Sequence, residues 1–396
     1  MDILKAFTGA EVDSINSIKN LCSLKGIKPY IVGGAVRDAI LGNKIKDIDI
    51  CVEGDPNVIL NELRNLKQCE YHSRFQTASL AFKNGVVIDL IRCRKEYYCR
   101  DGALPDVFPS HIHEDLYRRD FTVNALAYDI EEKKIIDIYG GMVDLKNKVL
   151  RKIHSGSYSE DPTRIFRAVK YAVRYNFKLK DEDEIKACIE KNVLDLVSSD
   201  RIIKEIYLLC CEDDWIRNIC LCADLKIFDV DKNKLWSDSL NSSISEICGC
   251  TTVDVKILRL FYSLKDEKYA KILAKNSILN GKLRNTIDYF NKNSSEIVKS
   301  LMNIMDNCRL YILLRKIDVY GLLLLSWNYK LRYKIYNYVY NLCNYRSSLN
   351  GENIVSAGVK DGKSIGRILK LVNRVELNTG IKCGQKFLTE NLGENI

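Results

Sequence analysis

Hydrophobic and polar positions follow two different periods along this chain, and the change between them divides it. Short apolar runs rich in β-branched residues, bounded by turn residues, predict strands at YIVGG (30–34), DIDICV (47–52), TASLAF (77–82), VVIDLIR (86–92) and KIIDIYG (134–140). Between them, helical spacing predicts helices over about 11–25, 34–41, 56–66 and 119–127. Segment 94–115 holds a glycine, two prolines and several charges, so it reads as a long loop, a feature that is often functional inside a compact domain. After Pro162 no proline occurs, and apolar residues recur at helical spacing to the end. The expected architecture is an α/β head followed by an all-α neck, body and tail.

Composition narrows this picture only modestly. A net charge of +9, from 61 Lys+Arg against 52 Asp+Glu, suits a polyanionic partner such as nucleic acid. The N-terminal stretch carries Asp2, Glu11 and Asp13 and lacks an apolar core of signal-peptide type. The longest apolar run, YGLLLLSW (320–327), is too short to span a bilayer, so no membrane partner is expected. The fifteen cysteines avoid zinc spacings: Cys210-Cys211, Cys220-x-Cys222 and Cys248-x-Cys250 lack paired C-x-x-C arrangements, and the chain has four histidines. They read as reduced cytosolic thiols used as small apolar residues, with no disulfide-linked partner and a cytoplasmic location.

Candidate chemistry begins at GGAVRD (33–38) and DID (47–49). Asp47 and Asp49, two apart on a predicted strand, project from one face and repel unless a cation lies between them. A hard divalent ion bound by two carboxylates and substrate phosphates is one reading; two surface acids on an edge strand is the other. Asp89, among Val86, Val87, Ile88 and Leu90, is an expensive place for an unpaired acid and is a candidate third carboxylate. Upstream, the glycines let backbone N–H groups approach phosphate, and Arg37 is placed to bind it. A dinucleotide fold is excluded on detail: the third glycine of G-x-G-x-x-G is missing and the acid comes too early for a ribose.

GGAVRDAILG…DIDI closely resembles the first motif of the class II CCA-adding enzyme and bacterial poly(A) polymerase family, within the polymerase-β nucleotidyltransferase superfamily. EDLYRRDFTVNALAYD (114–129) is similar to its ribose- and triphosphate-contacting motif. EDPTRIFRAVKYAVRYNF (160–177) resembles its base-reading neck helix, and SSDRIIKEI (198–206) the motif that supports that helix. The tail at 349–380 is also similar. One departure is Thr163, where a leucine is usual.

The resemblance implies a nucleotidyltransferase head with a mixed sheet and helices (1–145), a helical neck that selects the nucleobase (146–210), and a helical body and tail that bind tRNA (211–396). It implies Mg²⁺ at Asp47 and Asp49, with Asp89 as a further catalytic carboxylate, neutralising charge at the NTP α-phosphate and activating the attacking 3′-hydroxyl. Gly34 and Arg37 would hold phosphate. Arg118 and Arg119, read as starting a helix, would clamp the triphosphate, with Asp120 and Asn124 at the ribose or bracing. Ion pairs from the arginines to Glu114 and Asp115 are the plain alternative.

Asp161 and Arg164 are neighbours on one helical face, and Asp161 with Pro162 also suits a simple helix start. Cytosine and adenine both present an amino donor beside a ring-nitrogen acceptor. An aspartate and an arginine match that edge, while uracil and guanine reverse it and leave groups unmatched. Arg167 and Lys170 continue toward the phosphates or act as braces. Ser198, Arg201 and Glu205 read as structural, a cap plus an i,i+4 ion pair. Segment 326–348 interleaves Lys330, Arg332, Lys334 and Arg346 with Trp327 and six tyrosines, which suits RNA contact or inward packing. Together these features imply template-independent addition of CCA to the tRNA 3′ end from CTP and ATP. A-only addition, poly(A) synthesis and non-catalytic RNA binding stand as alternatives.

Overall fold

The computed structural model describes residues 2–73, 76–236, 250–384 and 387–388. The chain divides into two compact units, Met1–Ile227 and Phe228–Ile396. Cys248, part of one cysteine pair considered above, lies outside the described residues.

The first unit opens with α1 (Gly9–Leu24), started by a reciprocal capping box between Thr8 and Glu11. There follow β1 (Pro29–Val32), α2 (Gly34–Leu41), β2 (Asp49–Val52), α3 (Pro56–Leu60), β3 (Leu66–His72), β4 (Thr77–Phe82) and β5 (Val87–Arg92). Then come β6 (Arg94–Tyr97), β7 (Asp106–Pro109), α4 (Ile112–Tyr117), β8 (Leu126–Asp129) and β9 (Lys134–Asp137). Seven strands form one mixed sheet in the order β3-β4-β5-β2-β1-β8-β9. The β2–β5 pair is parallel and the other pairs are antiparallel. Strands β1 and β8 are buried along their full length, as expected at the centre of a sheet covered on both faces.

Three expectations are corrected. Residues 119–127 do not form an α-helix; only Thr122–Asn124 make a single 3-10 turn. Asp120 takes the Phe121 N–H at 2.8 Å and Thr122 N–H donates to Arg151 at 2.9 Å, so these amides leave no helical ladder, and 126–129 pairs with β1 instead. A four-residue buried strand and a buried helix turn have the same apolar signature, and tertiary pairing decided between them. The helix expected over 56–66 ends early, at Leu60, because Asn65 enters a left-handed turn (φ 64°) that starts β3. The long loop 94–115 contains the β6–β7 hairpin, in register from Arg94↔Pro109 to Tyr97↔Asp106, and then α4.

Beyond the sheet lie α5 (Gly141–Asn147), β10 (Val149–Leu150), α6 (Ser157–Glu160), α7 (Thr163–Tyr175), β11 (Lys178–Leu179), α8 (Glu182–Glu190) and α9 (Ser199–Cys211). Helix α7 buries Ile165, Phe166, Ala168, Val169, Ala172 and Val173 and is strongly amphipathic.

The regular elements among the described residues of the second unit are helices, with one isolated bridge between Val230 and Leu264. Seven of its described helices start on side chains that accept a backbone N–H: Thr251, Asp266, Asn280, Asp306, Asp318, Asn350 and Asp361. Lys334 donates to the carbonyls of Leu301, Met302 and Ile304 at 2.8, 3.0 and 2.6 Å, closing the C-terminus of the helix Gly281–Asn303. Segment 326–348 therefore divides: Lys334 is structural, Trp327 and Tyr338 are buried, and Tyr329, Tyr333 and Tyr340 are exposed. No helix among the described residues is long and apolar enough to cross a membrane.

Candidate active site

The site begins at the turn from β1 into α2. Gly33 has φ +66° and donates its N–H to Leu126 at 2.9 Å. A Cβ there would lie 2.5 Å from Arg119 Nη1, so this position needs glycine for backbone freedom and for the approach of a guanidinium. Gly34, singled out from the sequence, is the first residue of α2.

Asp47 is exposed and precedes β2, and half-buried Asp49 opens that strand. Asp49 is in register with Asp89 on the parallel neighbour β5. Burial pushes the Asp49 carboxyl up to about 6; Arg119 opposes this, while Asp89 and Asp47 add to it. Carboxylates crowded this way are stabilised by an intervening hard cation, and an all-oxygen donor set suits one. Among the described residues no group of three or more His, Cys, Asp or Glu is arranged to hold a metal unaided. Asp47 and Asp49 both line one cavity, and two carboxylates are a donor set that fits a hard ion.

Arg118 and Arg119 follow the end of α4 rather than starting a helix. Both turn to Asp115, which is 0% exposed. Arg118 reaches Oδ1 at 2.8 and 2.9 Å and Glu96 at 3.1 Å; Arg119 reaches Oδ2 at 2.9 and 3.3 Å. Burial works to raise Asp115, but the two arginines outweigh it and hold its carboxyl below the usual range. Of the two acids considered as partners, Asp115 and not Glu114 makes these pairs.

A polar chain joins head to neck. Arg167 Nε donates to Asp120 Oδ2 at 2.7 Å, Asn124 donates to Asp120 Oδ1 at 2.9 Å, and Arg37 donates to Asn124 Oδ1. Burial alone would raise Asp120; Arg167 and Asn124 keep its carboxyl below the usual value. Arg37, 4% exposed, also forks onto Asp38 at 2.9 and 3.1 Å and stacks 4.5 Å from the centre of the Tyr175 ring.

Asp161 lies between α6 and α7, where its Oδ1 accepts the Thr163 N–H, so a capping role is real. Arg164 donates to the Ser157 hydroxyl at 2.7 Å and the Arg118 carbonyl at 2.8 Å. Arg201 pairs with Asp161 at 2.8 Å rather than with Glu205, which corrects the purely local reading of that motif. Glu205 instead faces the pocket; burial raises its carboxyl, and Lys170 and Arg167 pull the other way. Burial and Arg167 lower Lys170.

One cavity of about 510 Å³ gathers these groups. Its lining includes Asp47, Asp49, Gly34, Arg37, Arg118, Arg119, Asp120, Asn124, Asp161, Arg164 and Arg167. Asp89 and Lys170 are not among the lining residues. Lys46, Asp38, Glu96, Tyr98, Thr163, Tyr171, Arg174 and Glu205 are, and were not assigned to the site from sequence. Among the described residues the lining holds seven acids (Asp38, Asp47, Asp49, Glu96, Asp120, Asp161, Glu205) and seven bases (Arg37, Lys46, Arg118, Arg119, Arg164, Arg167, Arg174).

Residues 29–151 match the family model described as the Poly A polymerase head domain. The chain is 38% identical over 197 residues to the A-adding tRNA nucleotidyltransferase of Geobacter sulfurreducens, covering 48% of this chain and 22% of that one. It is 29% identical over 373 residues to the A-adding tRNA nucleotidyltransferase of Aquifex aeolicus, covering 89% of this chain and 45% of that one. The chain thus spans less than half the length of these two relatives. A solved CCA-adding enzyme in its apo form II superposes with a TM-score of 0.80 at 26% identity, over 99% of this chain and 97% of that one. These matches give residues 29–151 the likeness of a poly(A) polymerase head domain and the chain the fold of a solved CCA-adding enzyme.

Proposed function

We propose that the protein is a template-independent tRNA nucleotidyltransferase that builds the 3′ CCA end from CTP and ATP, releasing diphosphate. The observation that carries this reading is one cavity lined both by Asp47 and Asp49 of the head and by Asp161 and Arg164 of the neck, more than a hundred residues away. Carboxylates for a cation and a donor–acceptor pair for a base then serve a single ligand.

In this reading Asp47 and Asp49 hold a divalent ion, Mg²⁺, which when bound neutralises phosphate charge and favours a deprotonated 3′-hydroxyl. Asp89 acts on Asp49 from the neighbouring strand. Gly34 at the start of α2, Arg118 and Arg119 bind and orient the triphosphate, the arginines held ready by Asp115. Arg37 and Arg167 reach the ligand through the Asp120–Asn124 bridge, with Asp120 and Asn124 placed for the ribose. Lys170 braces Glu205. Asp161 accepts the amino group of cytosine or adenine and Arg164 donates to the ring nitrogen, so UTP and GTP meet unmatched groups costing roughly 1–3 kcal/mol each. Residues 146–210 supply base choice, and residues 211–396 supply the tRNA surface, with exposed Tyr329, Tyr333 and Tyr340 as stacking candidates.

A-only addition is the second reading, favoured by the A-adding relatives in Geobacter and Aquifex. Incubation with Mg²⁺, single NTPs and tRNAs ending before C, after C or after CC separates the two. Extension of all three supports CCA addition; extension of the third alone, by ATP, establishes A-only addition. Equal use of GTP or UTP would overturn the base-reading role of Asp161 and Arg164.

A further inference from the structure

The Asp161 carboxylate is pinned by one oxygen. Its Oδ1 accepts from the Thr163 N–H at 3.1 Å, the Thr163 hydroxyl at 2.6 Å and Arg201 Nη2 at 2.8 Å. Among the described residues no hydrogen bond falls on Oδ2, and Asp161 lines the cavity. Thr163 is 6% exposed and lines the same cavity, so its hydroxyl spends its one proton on Asp161 away from bulk water. Arg201 is itself fixed, donating Nη1 to the Gly102 carbonyl at 2.9 Å.

A carboxylate rotates easily about its terminal torsion, and that torsion is broad when nothing restrains it. Three donors on Oδ1 remove this freedom. The backbone N–H and Arg201 set where Oδ1 sits, and the short hydroxyl contact fixes the plane of the group.

We propose that Thr163 is a positioning residue for nucleobase selection: its hydroxyl locks the Asp161 carboxylate so that Oδ2 is presented to the exocyclic amino group of an incoming adenine or cytosine. This rests on Asp161 being the base-reading acceptor. Selection by a single acceptor beside a single donor depends on direction as well as charge, so a loosened Asp161 keeps its attraction for cations but discriminates less between bases.

The test measures kcat and KM for ATP, GTP and UTP on tRNA ending in CC, using the full chain and its T163V, T163S and D161A variants. T163V, which keeps the shape and the backbone N–H, is expected to raise KM for ATP about three- to tenfold, to lower the ATP preference by a similar factor, and to change kcat little. T163S is expected to restore both, and D161A to abolish the preference. Wild-type selectivity in T163V alongside lost selectivity in D161A would overturn the role of Thr163 and leave Asp161 as the reader. Retained selectivity in D161A would overturn the reading of Asp161 itself. Equal loss in T163V and T163S, with lowered Tm in both, would mean packing and also overturns the proposal. If T163V does not fold, T163A serves as the hydroxyl-free arm against T163S.

Discussion

Asp49 on β2 and Asp89 on β5 stand directly beside each other in a parallel pair, their Cα atoms in register. That placement makes one acid the electrostatic neighbour of the other in a sheet whose adjoining residues, Ile50 and Leu90, are fully buried. Replacing Asp49 with Asn is expected to cut nucleotide transfer roughly a thousandfold, as loss of a charge-stabilising group does. Binding of tRNA, followed by fluorescence anisotropy, should be unchanged. Activity near wild type in D49N would refute the metal role.

At Gly33 the backbone is left-handed and a Cβ would meet Arg119 Nη1 at 2.5 Å. Gly33→Ala is expected to cost about 1–2 kcal/mol in thermal unfolding from backbone strain. It should also raise KM for ATP, because Arg119 must move. Gly34→Ala meets only Arg37 Nη2, at 3.5 Å, and should be better tolerated by the fold.

Buried Asp115 anchors two arginines, so Asp115→Asn leaves Arg119 without its carboxylate and Arg118 with Glu96 alone. A loss of about 3–5 kcal/mol is expected from breaking such a buried arrangement. Tm by calorimetry checks this, and an unchanged Tm would show that Glu96 at Arg118 and the Asn124 carbonyl at Arg119 suffice without the Asp115 charge.

The second unit carries a pH-dependent contact. Burial would raise the Glu376 carboxyl, but the Ser348 hydroxyl, the backbone N–H groups of Cys383 and Ser348, and the Tyr345 hydroxyl pull it from 4.5 down to about 2. A depressed carboxyl adds stability above its unfolded value and loses it as pH falls toward the folded one. The drop corresponds to on the order of 3 kcal/mol. Glu376→Gln should lower stability at pH 7, and its difference from wild type in urea titrations should shrink between pH 4.5 and 2.

Tyr333 and Lys334 are adjacent but differ in role. Tyr333, 82% exposed, is expected to affect tRNA affinity alone when changed to Ala, by about 1–3 kcal/mol if it stacks on a base. Lys334→Met should lower Tm by uncapping the helix Gly281–Asn303, with tRNA affinity less affected. Reversed outcomes would exchange these assignments.

Much of this was legible in the sequence where a local pattern and a chemical requirement coincide. The β1 turn, the β2 acids and helix α7 carry their own spacing. What escaped depended on partners distant in the chain. Arg201 and Glu205 satisfy the i,i+4 rule, so nothing local reveals that Arg201 turns to Asp161, forty residues upstream. The β8 strand has the composition of a helix turn and becomes a strand by pairing with β1. Strand β3 is largely exposed and polar, so it lacks the alternation that marks a strand.

The equal numbers of acids and bases lining the cavity have a further consequence. The pocket is a zwitterion rather than a positive funnel, and arginines 37, 118, 119 and 167 already hold carboxylates. An anionic ligand would therefore meet arginines already paired, and would share them with their acids rather than find free cations. Added salt screens the pairs already present as well as those the ligand makes. Nucleotide uptake should thus depend on ionic strength far less than capture of a long polyanion does.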